Sequence, residues 1–342
     1  MKRSFRNRLL ALAAISVSSI MLLSGFDSSL TVEDVFSKAQ EASAGLKEFS
    51  ADVKGTADVV LDATMSGATT SLPLTGGMDM HIQYSIQPFE FALTGTYTGD
   101  ASAMGMSGEI GIEMYMVAEE DGTGKMYTKL SGLGEEPVWQ AVAIPEDQIA
   151  QINDMIGKSL SGDYASVSES TGIDMEALQQ QFMGDAQLAP EAVNVNGKDC
   201  YEISLQMTGD TIGSMMSQIA EANPELGMDE STLQIAQMIL SMIRFDFVED
   251  LDVETFLPVF ASIDLSGSDF SMLGQMVGAM MFSSGSETEE TPDVQLTVNA
   301  LNMTMDYDTE TPVSIEVPAE ALDAEVTELD MDAVAALGDT AA

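Results

Sequence analysis

Met78-Asp79-Met80-His81-Ile82-Gln83-Tyr84-Ser85-Ile86-Gln87-Pro88-Phe89-Glu90-Phe91 sets the architecture of this chain. Apolar residues occupy every second position, with Asp79, His81, Gln83 and Ser85 between them. Period two is the signature of a strand with one dry and one wet face. Gln87-Pro88 reads as a turn, and Phe89, Phe91, Leu93 and Tyr97 then alternate with Glu90, Thr94, Thr96 and Thr98. An antiparallel pair with one buried face follows.

The pattern extends in both directions. Val53 to Leu61 alternates upstream, and Met106 to Met116 downstream, where Ile110, Ile112 and Met114 share a phase. Asp121 to Gly124 closes a hairpin into Lys125 to Leu130, and Val138 to Ile144 supplies another strand. Asn196-Gly197 between Val193 and Tyr201 is a strong two-residue hairpin signal. The returning strand puts Tyr201, Ile203, Leu205 and Met207 on one face. Strands are also predicted at Phe245 to Leu251, at Leu257 to Leu265 and at Val294 to Tyr307. In the last, the apolar phase slips at Ala300-Leu301, so a bulge is expected there. Met303 and Met305 lie beyond the slip. Ser314 to Pro318 ends the ordered part, and the acidic tail after Leu322 is expected to be frayed or weakly helical.

Helical periods appear between the strands. Thr31 to Lys47 carries an apolar stripe, with Thr31 and Asp34 as a capping pair. Glu146 to Leu160 follows Pro145, which suits a helix start. Asp174 to Phe182, Ile212 to Ala222 and Ser231 to Arg244 also read as helices. The class is therefore α+β, a large antiparallel sheet with helices on one face.

Residues 1–26 are set apart. Lys2, Arg3, Arg6 and Arg8 precede an uncharged run from Leu9 to Gly25, the form of a secretory signal. Either it is cleaved, or its 17-residue run, at the short end of what spans a bilayer, stays as an anchor. Both alternatives place the protein outside the cytoplasm. Leu22-Leu23-Ser24-Gly25 approaches a lipidation site, but Phe26 stands where the cysteine would be, so no thioether lipid is expected.

The whole chain has 12 basic and 56 acidic residues, a net charge of −44. Without residues 1–26, which hold four basic and no acidic residues, 8 face 56, or −48. Such a surface repels nucleic acid. An apolar share of 45% is enough for a core, which argues against disorder. The single cysteine, Cys200, excludes an internal disulfide and a cysteine-based metal site. It reads as a structural or surface thiol, with only Lys198 nearby to lower its pKa. The single histidine, His81, falls in the polar phase of its strand, where a solvent-facing role is expected. Asp250-x-Asp252-x-Glu254 and Asp306-x-Asp308-x-Glu310 lack the glycine and the closing acid of a calcium loop, and read as solvated turns. No phosphate loop or nucleophile elbow is present. The reading is a protein without cofactor or metal, and not an enzyme.

Several stretches resemble the LolA-like superfamily of lipid and lipoprotein carriers, and within it a family of bacterial surface lipoproteins without assigned function. They are Val32 to Ala39 leading to Leu46 to Asp52, Val195 to Ile203, Asp252 to Pro258 and Val313 to Leu322. The resemblance spans nearly all of residues 31–322 and implies an incomplete β-barrel whose concave face is plugged by helices and holds acyl chains. One domain, 27–322, is expected between the leader and a C-terminal tail, 323–342. The predicted lining is Met80, Ile82, Tyr84, Phe91, Leu93, Ile112, Met114, Tyr201, Ile203, Leu205, Met303 and Met305. An apolar insertion near 268–286, with Met272, Leu273, Met276, Val277 and Met280, is the expected lid. The 26 methionines fit either an adaptable core or a cavity for flexible apolar ligands. The expected partners are lipid or lipoprotein acyl chains bound by a monomer. The alternative is a fully packed structural or interaction module of the cell surface.

Overall fold

A computed structural model describes residues 30–101, 106–132, 136–160, 184–209, 242–275 and 293–328, with positions 213, 217 and 238. Helix α1, Val32–Ala44, starts as its sequence dictates. Thr31 is extended and its hydroxyl accepts from Asp34 N at 3.2 Å. Asp34 Oδ2 accepts in return from Thr31 N at 2.9 Å. This capping box satisfies two otherwise orphaned donors. The helix stops at Ala44, before the predicted Lys47, where Gly45 N–H bonds back to Ala42 O at 3.0 Å. Val35, Phe36 and Ala39 are its buried stripe.

Six strands follow in a meander: β1 Glu48–Met65, β2 Ala68–Ile86, β3 Phe89–Ala101, β4 Met106–Ala118, β5 Gly124–Ser131 and β6 Gln140–Ile144. β1 and β2 run well past the predicted limits because Ser66-Gly67 joins them in a two-residue turn. Both residues have positive φ, 52° and 81°, as the hairpin twist demands. Helix α2, Glu146–Leu160, occupies the predicted span. β7 Gln187–Leu188 and β8 Val193–Val195 pair with β9 Lys198–Thr208, and Asn196-Gly197 forms the predicted hairpin with φ of 53° and 85°. β10 Arg244–Asp252, β11 Pro258–Asp264 and β12 Asp293–Asp308 complete the main sheet. A short helix α3, Ala319–Leu322, and strand β13, Val326–Glu328, end the described chain.

Thirteen strands form one open sheet in the order β13-β6-β5-β4-β3-β2-β1-β12-β11-β10-β9-β7, with β8 beside β9. The N-terminal strand thus lies mid-sheet, closed on one side by β12. All pairings are antiparallel except β13 with β6. For residues 326–328 that pairing corrects the expectation of a frayed or helical tail, and residues 329–342 lie outside the described residues. Residues 326–328 satisfy the open edge of β6, Val326 opposite Ala141, and blunt an edge that could template other strands. The bulge in β12 is also shifted. Asp58 pairs with Ala300 and Val59 with Val298, so Asn299 is the extra residue, and its Nδ2 donates to Asp58 Oδ1 at 3.2 Å. The insertion keeps Val294 and Leu296 on the same face as Met303 and Met305.

Both long helices cover one face of the sheet. α2 sets Ile149 and Ile156 on Phe49, Tyr84 and Phe89. α1 sets Val35 on Ile203 and Leu251. Each such side chain contributes about 1.5–3 kcal/mol of apolar burial. On the outer face, Tyr127 and Ala141 pack under Ala321 and Val317 of the C-terminal segment. The helices expected at 174–182, 212–222 and 231–244 lie, for the most part, outside the described residues.

Candidate functional site

Register aligns side chains across the sheet into rows. One row on the helix-covered face runs Ile203, Glu249, Ala261, Met305, Val53, Met80, Gly95, Ile112, Leu130, one residue from each of nine strands. The flanking rows are Tyr307, Ala51, Ile82, Leu93, Met114 and Met303, Gly55, Met78, Tyr97, Ile110. Directly opposed residues share a face, so all three rows look the same way.

Six of the predicted lining residues, Met80, Ile82, Leu93, Ile112, Met303 and Met305, form one cluster with Ala51, Val53, Met78 and Tyr307. Met114 follows Leu93 in register. Tyr84 and Phe91 belong to the neighbouring cluster beneath α2. Ile203 lies under α1 with Leu251, and Leu205 is buried beside Phe247 in register. Tyr201 stands apart. It stacks on Phe256 at 6.4 Å and 16°, and Lys38 Nζ lies 4.9 Å from the Phe256 ring centre. Of the predicted lid, Met272 is exposed and Leu273 half-buried, whereas Met276, Val277 and Met280 lie outside the described residues. The insertion begins against the same face: Phe270 is buried, and a β-carbon on Gly274 would lie 2.8 Å from Leu296 N.

The methionines lie where glycines make room. A β-carbon on Gly95 would meet Asp79 O and would lie 2.9 Å from Met80 Sδ. One on Gly55 would lie 3.3 Å from Met78 Cε. This row and its neighbour are graded in exposure. Met80 and Met305 are 5% and 9% exposed, Tyr97 44% and Leu130 50%. The apolar surface therefore passes from packed core into the open without a polar break.

Two polar groups interrupt the buried end. Glu249 is only 1% exposed, with Ala261 and Ile203 as cross-strand neighbours. The Tyr307 hydroxyl is buried and has no hydrogen-bond partner. Burial first, and the charge of Glu249 second, push its pKa well above the ordinary phenol value. The Tyr84 hydroxyl is likewise buried without a partner, and burial raises its pKa. Both rings lean on Phe49, Tyr84 at 5.6 Å and Tyr307 at 6.5 Å. Sequence reading passed over Glu249, although its signal was present: an acid in the apolar phase of Phe245, Phe247 and Leu251.

A cleft of about 420 Å³ opens at one end of the sheet, between the β2–β3 turn, the β4–β5 turn and the start of α2. Pro88, Phe89, Ile149, Glu119, Glu120 and Glu146 are among its walls. None of the twelve predicted residues lines it, and three carboxylates make it a poor seat for an apolar chain.

The outer face carries the polar groups. His81 Nδ1 lies 2.7 Å from Asp52 Oδ1, both side chains well exposed, as expected for its strand phase. Cys200 is fully buried, its Sγ 3.6 Å from Lys198 O. Burial, and then Asp250 and Asp252, push the thiol up to about 11, so it stays protonated and unreactive. Asp308 accepts from Glu310 N and Thr311 N, and Asp252 from Glu254 N and Thr255 N, which makes both acidic stretches turn caps. In the stretch from Asp250 to Glu254 the two aspartates are not solvated, however. Asp250 and Asp252 are 3% and 8% exposed because β8, β9 and the turn fold around them. Among the described residues no group of three or more His, Cys, Asp or Glu is placed to hold a metal.

Residues 31–163 match DUF6612, a family of unknown function. Among curated proteins none matches. Two solved structures align at 10% identity. A β-barrel-like protein of the domain of unknown function DUF1849 from Brucella abortus covers 75% of this chain and 95% of its own, with a TM-score of 0.19. A DUF1329 family protein from Desulfovibrio piger covers 81% and 92%, with a TM-score of 0.16. Scores this low do not establish a common fold.

Proposed function

We propose that this chain is a non-enzymatic, exported protein of the cell envelope that binds acyl chains on the helix-covered face of its sheet. The observation that carries the reading is the grading of two adjacent apolar rows, from packed Met305 and Met80 to open Tyr97, Ile110 and Leu130. An apolar face that continues into solvent favours contact with another apolar body. Methionine suits a ligand without fixed shape, because its unbranched thioether adapts to irregular contacts. The resemblance to LolA-like carriers and the signal-like leader support the same reading. Gly274, early in the insertion, lies close against Leu296 of β12, and the role proposed for the insertion is that of a lid over this face.

Native mass spectrometry of protein purified from its own host, with titration of a fluorescent acyl probe, tests the proposal. Co-purifying lipid and saturable probe binding are expected. Neither appearing would leave the rival reading, a packed structural or interaction module. That reading draws on the dense burial of Met80, Met305, Ile203 and Leu205 and on a cleft that lies elsewhere.

A further inference from the structure

The cleft between the β2–β3 turn, the β4–β5 turn and the start of α2 has an apolar floor and an acidic rim. Phe89 and Ile149, 4% and 5% exposed, make the floor and belong to the core beneath α2. Glu119 and Glu120 on the β4–β5 turn and Glu146 on α2 are exposed and make the rim. The turn is tied down. Gly122 N donates to Glu119 O at 3.0 Å, Glu119 N donates to Thr123 O at 2.7 Å, and Asp121 Oδ1 accepts from Thr123 N at 3.0 Å. A β-carbon on Gly122 would lie 3.1 Å from Glu146 Cγ, so turn and helix start meet there. Glu119 pairs with Lys125 at 2.8 Å, whereas Glu120 and Glu146 make no ion pair among the described residues. Asn153, also in the wall, buries its Oδ1 without a hydrogen-bond partner. A buried acceptor left unpaired is costly, and a donor in the cleft would relieve it.

We infer that this cleft binds a small organic cation, a primary ammonium on an aromatic or short alkyl body. The inference does not depend on the acyl-binding reading, which concerns other residues. The space of about 420 Å³ falls within the usual range of small-molecule sites. Carboxylates only accept, so they suit the donors of an ammonium and repel an anion. The dipole at the start of α2 would favour an anion, but Glu146 and Asp147 already occupy its first turn. The floor rewards an apolar body, so a bare hydrated cation gains little from it.

The test is calorimetric titration of the protein at physiological salt with phenethylamine, with neutral phenethyl alcohol and with ethylamine, which lacks the ring. Phenethylamine is expected to saturate and to bind at least about tenfold more tightly than either analogue. Ethylamine feels the net charge of −44 equally, so equal affinity of the two amines would trace binding to surface charge and overturn the site. Equal affinity of the alcohol, or no binding of phenethylamine, would overturn it as well. Glu120→Gln and Glu146→Gln are each expected to weaken phenethylamine about threefold. Asp293→Asn makes the same charge change at the opposite end of the sheet and is expected to leave binding unchanged. Equal losses in all three variants would again point to general charge and overturn the site. Tighter binding of N-acetyl-lysine amide than of phenethylamine would assign the cleft to a partner protein's lysine and overturn the small-cation proposal.

Discussion

Two rows cross the same nine strands one residue apart, and they obey opposite rules. On the helix-covered face stand Ile203, Glu249, Ala261, Met305, Val53, Met80, Gly95, Ile112 and Leu130. On the outer face stand Glu202, Asp250, Phe260, Asp306, Asp52, His81, Thr94, Glu113 and Lys129. Each row contains an exception, a carboxylate among apolar residues and a phenylalanine among acids, and both fall on the adjoining strands β10 and β11. The first row is held by packing, with no hydrogen bond to lose at most positions. The second is held by exchangeable pairs in water, such as Lys129 with Glu113 at 2.7 Å, which are individually worth little. A change of one register position therefore converts a large energetic effect into a small one.

Met80 and His81 make the sharpest contrast because they are adjacent. Met80→Ala removes a buried side chain and leaves a void over Gly95. It should destabilise by about 3 kcal/mol, within the usual 2–5 for such truncations, in urea unfolding followed by circular dichroism. A loss below about 1 kcal/mol would mean that the row is not core at its centre. Gly95→Val tests the same spot from the opposite side. The new branches would press on Asp79 O and the Met80 backbone, whose Cα would lie 2.7 Å from the added β-carbon, so a loss of about 2–3 kcal/mol is expected.

Asp250 tests whether the outer row can also suffer from burial. Desolvation, and then Glu202, raise its pKa to about 6 from an ordinary 3.8. A carboxyl whose folded pKa lies above its unfolded value holds extra protons in the folded state. Its charged form therefore weakens the fold above about pH 6, and the penalty fades as pH falls toward 4. Asp250→Asn should then stabilise the protein at pH 7 by on the order of 2 kcal/mol, with the gain vanishing near pH 4. A gain independent of pH would point to packing instead. The smallest effect is expected at His81→Ala, where losing an exposed pair with Asp52 should change stability by less than about 0.5 kcal/mol. A greater loss in thermal unfolding would erase the contrast between the rows.

Much of this was readable from local pattern. The phases of Val53 to Leu61, Met78 to Ile86 and Phe89 to Tyr97 assign residues to the correct faces, and Asn196-Gly197 turns where it was expected. Ser66-Gly67 was passed over because Ser-Gly is a weaker hairpin signal than Asn-Gly, although both residues adopt the same left-handed backbone. The candidate site was legible as a face but not as a place. Six lining residues assemble beside β12, whereas Tyr201, under the same alternation, ends at a separate aromatic stack. Glu249 went unread because alternation treats an acid in the apolar phase as noise.

What residue order alone settled is what short-range sterics settle: the strand period, the capping box at Thr31 and Asp34, the span of α2 and the tight turns. Each depends on side chains within a few positions of one another. Which strands far apart in the chain are neighbours was settled only in the assembled sheet. β1 pairs with β12 from the far end of the chain, Asn299 is squeezed out of that pairing, and Val326 to Glu328 seal the edge of β6. Ladder hydrogen bonds are made by the backbone, which is the same in every strand, so where no tight turn joins two strands neither sequence names its partner. The burial of Glu249 is a product of that assembly, because it comes to lie between Ile203 and Ala261 only once β9 and β11 are aligned beside β10.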